Sequence, residues 1–466
     1  MPTDEMLDTL ASIVGDAGLL TGVAVGEDLT HDEALTARPV RPVGVAFPRT
    51  TEEVAAIVAL ARREAVPITA RGSASGLSGG CVPTPGGLVV SFARMNKVLE
   101  IDDENQAAVV QPGVTLAELD EVLRPHGLMY PVRPGEQSAS LGGNVATNAG
   151  GMRAVRYGVT RHNVLGLEVV LGTGETIRTG GKFVKSSSGY DLTQLVIGSE
   201  GTLGLVTEAT LKLHPVLAAS ATVLAPFRTL AAVTAAIPEI VRRGLTPTIL
   251  EYIDTLTMQV ITESESLDLG IPAELKEQAS AYLVTVIEHP GEARVSEDLE
   301  VLAALLDERG ALDVFVLPAP AATALITARE RAFYGAKAAG AQEIVDIVVP
   351  RARIGDFLEV AGKLAAEHGS FVAGCGHAGD GNVHLAVFQP DHDTLERFLV
   401  ALFAAGLELG GALSGEHGIG VVKRRAYTAL EQPERISLMR RIKAAFDPDG
   451  ILNPDKIFED PTGTQR

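Results

Sequence analysis

Two short stretches toward the C-terminal end hold the side chains best suited to chemistry: GHAGDGNVH, with His377 and His384, and SGEHGIG, with Glu416 and His417. The 466-residue chain has ten histidines, so three within these two stretches is a concentration that asks for a reason. Two imidazoles and a carboxylate form a ligand set that Zn2+, Mn2+ or Fe2+ accepts. A further histidine beside them can move a proton near neutral pH. Together they suit the polarisation of an oxygen-bearing substrate. Each histidine alone reads more simply as a turn residue, with Asp380-Gly381-Asn382 making the turn. The second Gly-flanked pair, within one domain's length, tips the balance toward a site.

The elements that must position these residues follow from the glycines. A spacing of seven would set His377 and His384 on one helical face. Gly376, Gly379 and Gly381 oppose that, each costing about 1 kcal/mol against alanine in a helix. A hairpin is expected instead, with one strand ending at a tight turn, the next beginning near Val383, and both imidazoles on one side.

The first part of the chain alternates strands and helices. A strand over 43–47 precedes a helix opening at Thr51 with Val54, Ile57, Val58 and Ala61 on its apolar face. A strand over 66–70 then delivers the chain into RGSASGLSGG. Further strands are expected over 88–91, 108–111, 165–171, 176–178 and 204–213, and Thr115 with Glu118 spells a capping box. The stretch 134–151 is too rich in glycine and small polar residues for a regular element. From about Ala218 a strand–helix pattern with hairpin-like spacing predicts an antiparallel sheet covered by helices on one face. From about Glu431 a helix and FDPDGILNP read as a strap across another domain. The expected division is 1–215, 216–430 and 431–466.

Net charge is 39 − 59 = −20, which argues against nucleic acid or an anionic membrane surface as partner. Two cysteines, Cys81 and Cys375, cannot hold an iron–sulfur cluster and fit a reducing cytoplasm better than a disulfide framework. The start, MPTDEMLDTL, lacks the basic and apolar regions of a signal peptide. No apolar run reaches the roughly 18–20 residues that span a bilayer. A cytoplasmic protein is expected, with attachment to a membrane through a partner subunit left open.

Three glycine-rich stretches remain. In RGSASGLSGG, successive backbone N–H groups can nest a phosphate, with Arg71 adding charge. It is neither a P-loop, lacking Gly-Lys-Ser/Thr, nor a Rossmann fingerprint. RPGEQSASLGGNVATNAGGMRAVRYG lets a flat ligand lie against backbone, and IGSEGTLGLVT adds a further close-approach segment. A pyrophosphate on the first and a planar ring on the second would suit a dinucleotide.

These stretches together resemble the FAD-binding domain of the vanillyl-alcohol oxidase and p-cresol methylhydroxylase (PCMH) superfamily. Within it, GGNVATNAGG, GYDLTQLVIGSEGTLG, GHAGDGNVH, SGEHGIG and KAAFDPDGILNP resemble the FAD-linked D-2-hydroxyacid dehydrogenases, above all the glycolate oxidase FAD subunit and the D-lactate dehydrogenases. The resemblance runs from about Ala46 to Phe458. It implies an α+β, two-domain PCMH-type FAD-binding fold with a cap domain built on an antiparallel sheet covered by helices. It implies FAD contacts from Arg71, Gly72, Ser73, Ala74, Ser75, Gly76, Leu77, Gly79 and Gly80, then from Pro134, Gly135, Ser138, Gly142, Gly143, Asn148 and Gly151, with Glu200, Gly204, Val206 and Asn453 completing the pocket. No histidine lies in 71–80, so the FAD is expected to be non-covalent. His377, His384 and Glu416 match the divalent metal ligands (Zn2+ first, with Mn2+ or Fe2+ compatible), His417 the base, and Arg329 the grip on the substrate carboxylate.

The related D-2-hydroxyglutarate dehydrogenases fit less well. Where they carry threonine, lysine and asparagine, this chain has Phe333, Ile344 and Ala386. A monocarboxylate with a small or apolar tail is therefore expected, although Lys337 and Arg351 could bring charge from elsewhere. The leading expectation is metal-assisted oxidation of a D-2-hydroxy acid (glycolate, D-lactate or similar) by hydride transfer to FAD. Electrons would pass to a separate acceptor: quinone, iron–sulfur subunit, cytochrome or electron-transfer flavoprotein. A homodimer is left open. The alternatives are a D-2-hydroxyglutarate-type dehydrogenase, a non-redox flavin enzyme of the alkylglycerone-phosphate synthase type, a flavin-free metal hydrolase, and a non-catalytic subunit.

Overall fold

A computed structural model describes residues 4–459. The first sheet has four strands in the order Leu19–Thr21, Gly44–Ala46, Leu88–Ser91, Ile68–Arg71, the last three parallel. The helix Thr51–Arg63 crosses between two of them. Thr50 caps it by accepting from Glu53 N, and its acidic first turn and basic last turn complement the helix dipole. Val54, Ile57, Val58 and Ala61 are buried in the core it shares with the strands. The strand Ile68–Arg71 ends where RGSASG begins, so the sheet delivers that loop to a fixed place.

A second sheet of five antiparallel strands runs Val98–Asp102, Ala107–Val110, Leu205–Lys212, Val164–Val170, Thr176–Gly180. The capping box forms as expected: Thr115 accepts from Glu118 N, and the Glu118 carboxylate accepts from Thr115 N at 2.8 Å. The stretch 134–151 departs from expectation. It contains a seven-residue helix, Leu141–Thr147, capped by Ser140 and buried through Leu141 and Val145. Those two residues, four apart, are a short apolar stripe that the surrounding glycines concealed.

The third sheet has seven antiparallel strands in the order Phe315–Leu317, Ala219–Phe227, Ala281–His289, Ile249–Asp254, Phe371–His377, Asn382–Phe388, Glu343–Val348. Helices Leu230–Arg242, Glu292–Glu308, Ile354–Glu367 and His392–Glu408 share the main core on one face. The expectation of a single covered face is corrected. Residues from helices Thr255–Ser264 and Ala319–Glu330 form a second cluster with Leu224, Ile253, Tyr282 and Cys375 on the other face. Strand alternation explains this, because Val223 and Leu224 point opposite ways and both are buried.

The C-terminal strap reaches the first sheet. Ile68 donates to the carbonyl of Ile451 at 2.7 Å and accepts from Asn453 N at 2.7 Å. No helix among the described residues is long and apolar enough to cross a membrane.

Candidate active site

The hairpin Phe371–His377 and Asn382–Phe388 lies near one edge of the seven-stranded sheet. Gly381 at the turn has φ +92°, and a Cβ there would sit 1.9 Å from the carbonyl oxygen of Val349. Register then sets the site. Glu251 is opposite His377, while Asp346, His384 and Cys375 form one row across three strands. Residues opposite one another point to the same face. The two histidines share that face with two buried acids.

The SGEHGIG segment folds around one of these acids. Asp346 Oδ2 accepts from Ser414 Oγ at 2.9 Å and from the backbone N–H groups of Gly415 (3.1 Å), Glu416 (2.9 Å) and His417 (2.8 Å). Its other oxygen holds the buried Lys423 ammonium. Thus aimed, Glu416 Oε1 lies 3.2 Å from His377 Nε2 and 3.1 Å from His384 Nε2. His417 stands beside them, its ring centre 5.3 Å from that of His384 and its Nδ1 3.6 Å from Asp346 Oδ1.

The electrostatics separate the two histidines' roles. Burial alone would lower the pKa of His377, but Glu251 and Glu416 on either side hold it well above its ordinary value. Burial would raise that of Glu416, yet His377 and His384 hold it well below the usual carboxylate range. Burial, reinforced by Lys423 and His384, pushes His417 down to about 4 against the opposing pull of Asp346. Asp346 already has its counter-charge in Lys423. His417 is therefore a neutral imidazole at neutral pH, able to accept a proton.

Two clefts meet at this point. One, of about 1310 Å3, is lined by Arg71, Gly72, Ser73, Ala74, Ser75, Gly76, Leu77, Gly80, Pro134, Gly142, Gly143, Glu200, Gly204 and Val206 from the expected set. Ser140, Asn144, Thr147 and Ser199 line it too, and the sequence did not single them out. The two glycine-rich stretches are joined there, since Ser140 Oγ accepts from Ser73 N at 3.2 Å. A Cβ on Gly72 would lie 2.0 Å from that oxygen. Arg71 donates to the carbonyls of His31 and Asp28, so its guanidinium is tied to the wall.

The other expected residues lie off this lining. Gly79 packs against Val421 and Gly151 against the carbonyl of Arg133. Asn148 accepts from Arg161 N, and the Ser138 carbonyl accepts from Ser73 Oγ. Asn453 Nδ2 clamps the carbonyls of Gly80 (3.1 Å) and Glu200 (2.7 Å). Gly135 lines the second cleft instead. Glu200 links the halves, accepting from Ile419 N and Gly420 N at 2.8 Å.

The second cleft, about 730 Å3, is lined by Arg329, His377, His384, Glu416 and His417 together with Leu77, Met152, Phe333, Ile344, Ala373 and Ala386. Register puts Ile344, Ala386 and Ala373 in one row next to the row of Asp346, His384 and Cys375. Arg329 is buried at 8 % exposure and lies 2.7 Å from Glu251. Lys337 is absent from this lining and pairs with Glu33, and Arg351 is absent from it as well. Glu416 and His417 line both clefts.

Family models give the identity of the two halves. Residues 42–180 match the FAD binding domain and residues 217–457 match the C-terminal domain of FAD linked oxidases. The chain belongs to the FAD-linked oxidase family. It is an FAD-linked oxidoreductase. An uncharacterized FAD-linked oxidoreductase of Mycobacterium tuberculosis is 54% identical, covering 98% of this chain and 99% of the relative. A D-lactate dehydrogenase of Anaerostipes hadrus is 38% identical (98% and 97% covered). The glycolate oxidase subunit GlcD of Bacillus subtilis is 39% identical (90% and 89% covered). A p-cresol methylhydroxylase structure superposes with a TM-score of 0.76 at 17% identity over 97% of this chain and 96% of that one, which confirms the two-domain PCMH-type fold.

The residues present fit the groups this oxidoreductase would need. At Gly76 and Gly80 a Cβ would meet no protein atom nearer than 3.7 Å, so backbone is open to the first cleft, as a dinucleotide there would require. Ligand atoms of His377, His384 and Glu416 all lie within 4.8 Å of one another, and both His384 Nε2 and Glu416 Oε2 are buried without a hydrogen bond. That is a donor set a divalent cation satisfies.

Sequence reasoning passed over Glu251 and gave Asp346 no role. Each is a charge inside an apolar strand, in ILEYID and EIVDIV. That anomaly was the available signal.

Proposed function

We propose that this oxidoreductase oxidises a D-2-hydroxy monocarboxylate to its 2-oxo acid, with non-covalent FAD and a divalent cation, Zn2+ before Mn2+ or Fe2+, on His377, His384 and Glu416. The observation that carries this reading is that Glu416 and His417, adjacent in sequence, line both the cofactor cleft and the apolar cleft. Bound FAD would supply the acceptor for the α-hydrogen and its electron pair, and a cation held by His377, His384 and Glu416 would supply the charge that lowers the hydroxyl pKa. His417 accepts the hydroxyl proton at Nε2, since Nδ1 faces Asp346. Arg329 binds the carboxylate and so orients the α-carbon. Phe333, Ile344, Ala373 and Ala386 offer a second carboxylate no partner, and Arg133, which also lines this cleft, is already paired with Asp120 at 2.6 Å. This disfavours a hydroxyglutarate-like substrate. With two cysteines in the chain, electrons leave to a separate cytoplasmic or membrane-held acceptor.

Anaerobic mixing with a panel of 2-hydroxy acids tests the reading. D-lactate or a longer D-monocarboxylate should bleach the flavin, its L-isomer should not, and a chelator should slow the bleaching. A cation-replete protein left unbleached by every D-monocarboxylate would end the proposal.

A further inference from the structure

Glu251 is fully buried in the strand Ile249–Asp254, and no step above uses it. Its neighbours Leu250 and Tyr252 belong to the main core, and Ile253 to the cluster on the opposite face. A carboxylate in such a place carries a heavy desolvation cost unless both oxygens are engaged. Here they are divided between two partners. Oε1 accepts from His377 Nδ1 at 2.5 Å, and Oε2 lies 2.7 Å from Nη2 of Arg329. With Nδ1 committed to Glu251, His377 presents Nε2 toward Glu416. Arg329 Nε, the donor not committed to Glu251, is buried without a formed hydrogen bond while the side chain lines the second cleft. That unmet donor suits an incoming anion.

We propose that Glu251 is the positioning residue that couples the two grips on the substrate. One oxygen holds His377 in the tautomer that offers Nε2 to the cation. The other pins the guanidinium that takes the substrate carboxylate. The proposal rests on the cation-assisted reading above. A cation on Nε2 withdraws electron density from the ring and strengthens the Nδ1–H···Oε1 bond. That fixes the carboxylate plane, and with it the face Arg329 presents. By linkage the effect is reciprocal, so carboxylate binding tightens cation binding by the same factor.

The test uses FAD-loaded, cation-stripped full-length protein, titrated calorimetrically with Mn2+ in the presence and absence of pyruvate, the unreactive keto acid. In the unmodified chain pyruvate should tighten Mn2+ about fivefold or more. Glu251→Gln should weaken Mn2+ by about 10–100-fold and reduce the pyruvate effect to below about twofold. Arg329→Lys should lose the pyruvate effect while Mn2+ alone binds within about threefold of normal. A Glu251→Gln protein with normal FAD content that binds Mn2+ within about threefold of normal, or keeps the full pyruvate effect, overturns the proposal. Should that variant fail to hold FAD, Glu251→Asp decides: its shorter reach must give up one contact, and an undiminished pyruvate effect overturns the proposal equally. If the unmodified chain takes up no Mn2+, the cation-assisted reading itself fails, an outcome distinct from the others.

Discussion

The two clefts that meet at Glu416 and His417 are built by opposite means. The first cleft is lined mostly by glycines and small residues from two loops and the helix Leu141–Thr147, joined through Ser140, with Asn453 holding the carbonyls of Gly80 and Glu200. The second cleft is backed by side chains standing on strands whose register puts Glu251, His377, His384 and Asp346 on one face. Backbone can follow a long ligand closely but offers no titratable group. Side chains on a rigid sheet hold charges in a fixed arrangement, but each buried charge needs a partner. Damage should therefore be local in kind: cofactor retention fails on one side, proton and cation chemistry on the other.

The sharpest way to break this division is His417→Gln. Flavin reduction by substrate should slow by about 10²–10⁴-fold, with FAD content and cation stoichiometry unchanged in absorbance and metal analysis. Loss of FAD along with activity would show the two regions to be one. Next in size is Asp346→Asn, which leaves the Lys423 ammonium, 2 % exposed, without its partner. Urea unfolding should register a loss of about 3–5 kcal/mol. Gly72→Ala probes the other side, because its Cβ would lie 2.0 Å from Ser140 Oγ. A destabilisation of about 1–3 kcal/mol and easier release of FAD on dilution are expected, with Mn2+ affinity unchanged.

The smallest effect is on pH dependence. His417, with its pKa at about 4 when folded against an ordinary 6.5, binds fewer protons folded than unfolded between those values. Its contribution to stability is complete above about pH 6.5 and is lost as pH falls toward 4. The urea midpoint should decline less over that window in His417→Gln than in the unmodified chain. An identical decline would place the titration elsewhere.

The hairpin bearing His377 and His384 was legible because its glycines exclude a helix and punctuate a turn. The capping box at Thr115 was legible because both partners lie within one helical turn. The helix Leu141–Thr147 was not, since its only apolar signal, Leu141 and Val145, sits among glycines that argue for a loop. Glu251 and Asp346 were hidden for another reason. Their partners are far along the chain, Glu251 being 126 residues from His377 and Asp346 being 71 from His417. A buried acid in an otherwise apolar strand announces a buried partner without saying which.

The order of residues alone determined which chemistry this chain can do, because ligand atoms, bases and flexible backbone are properties of residue type and near-neighbour spacing. Tertiary structure decided that the chemistry has one place to happen. Only strand register and the turn of SGEHGIG around Asp346 bring Glu416 between two imidazoles, because contact across a sheet depends on alignment that no local pattern encodes.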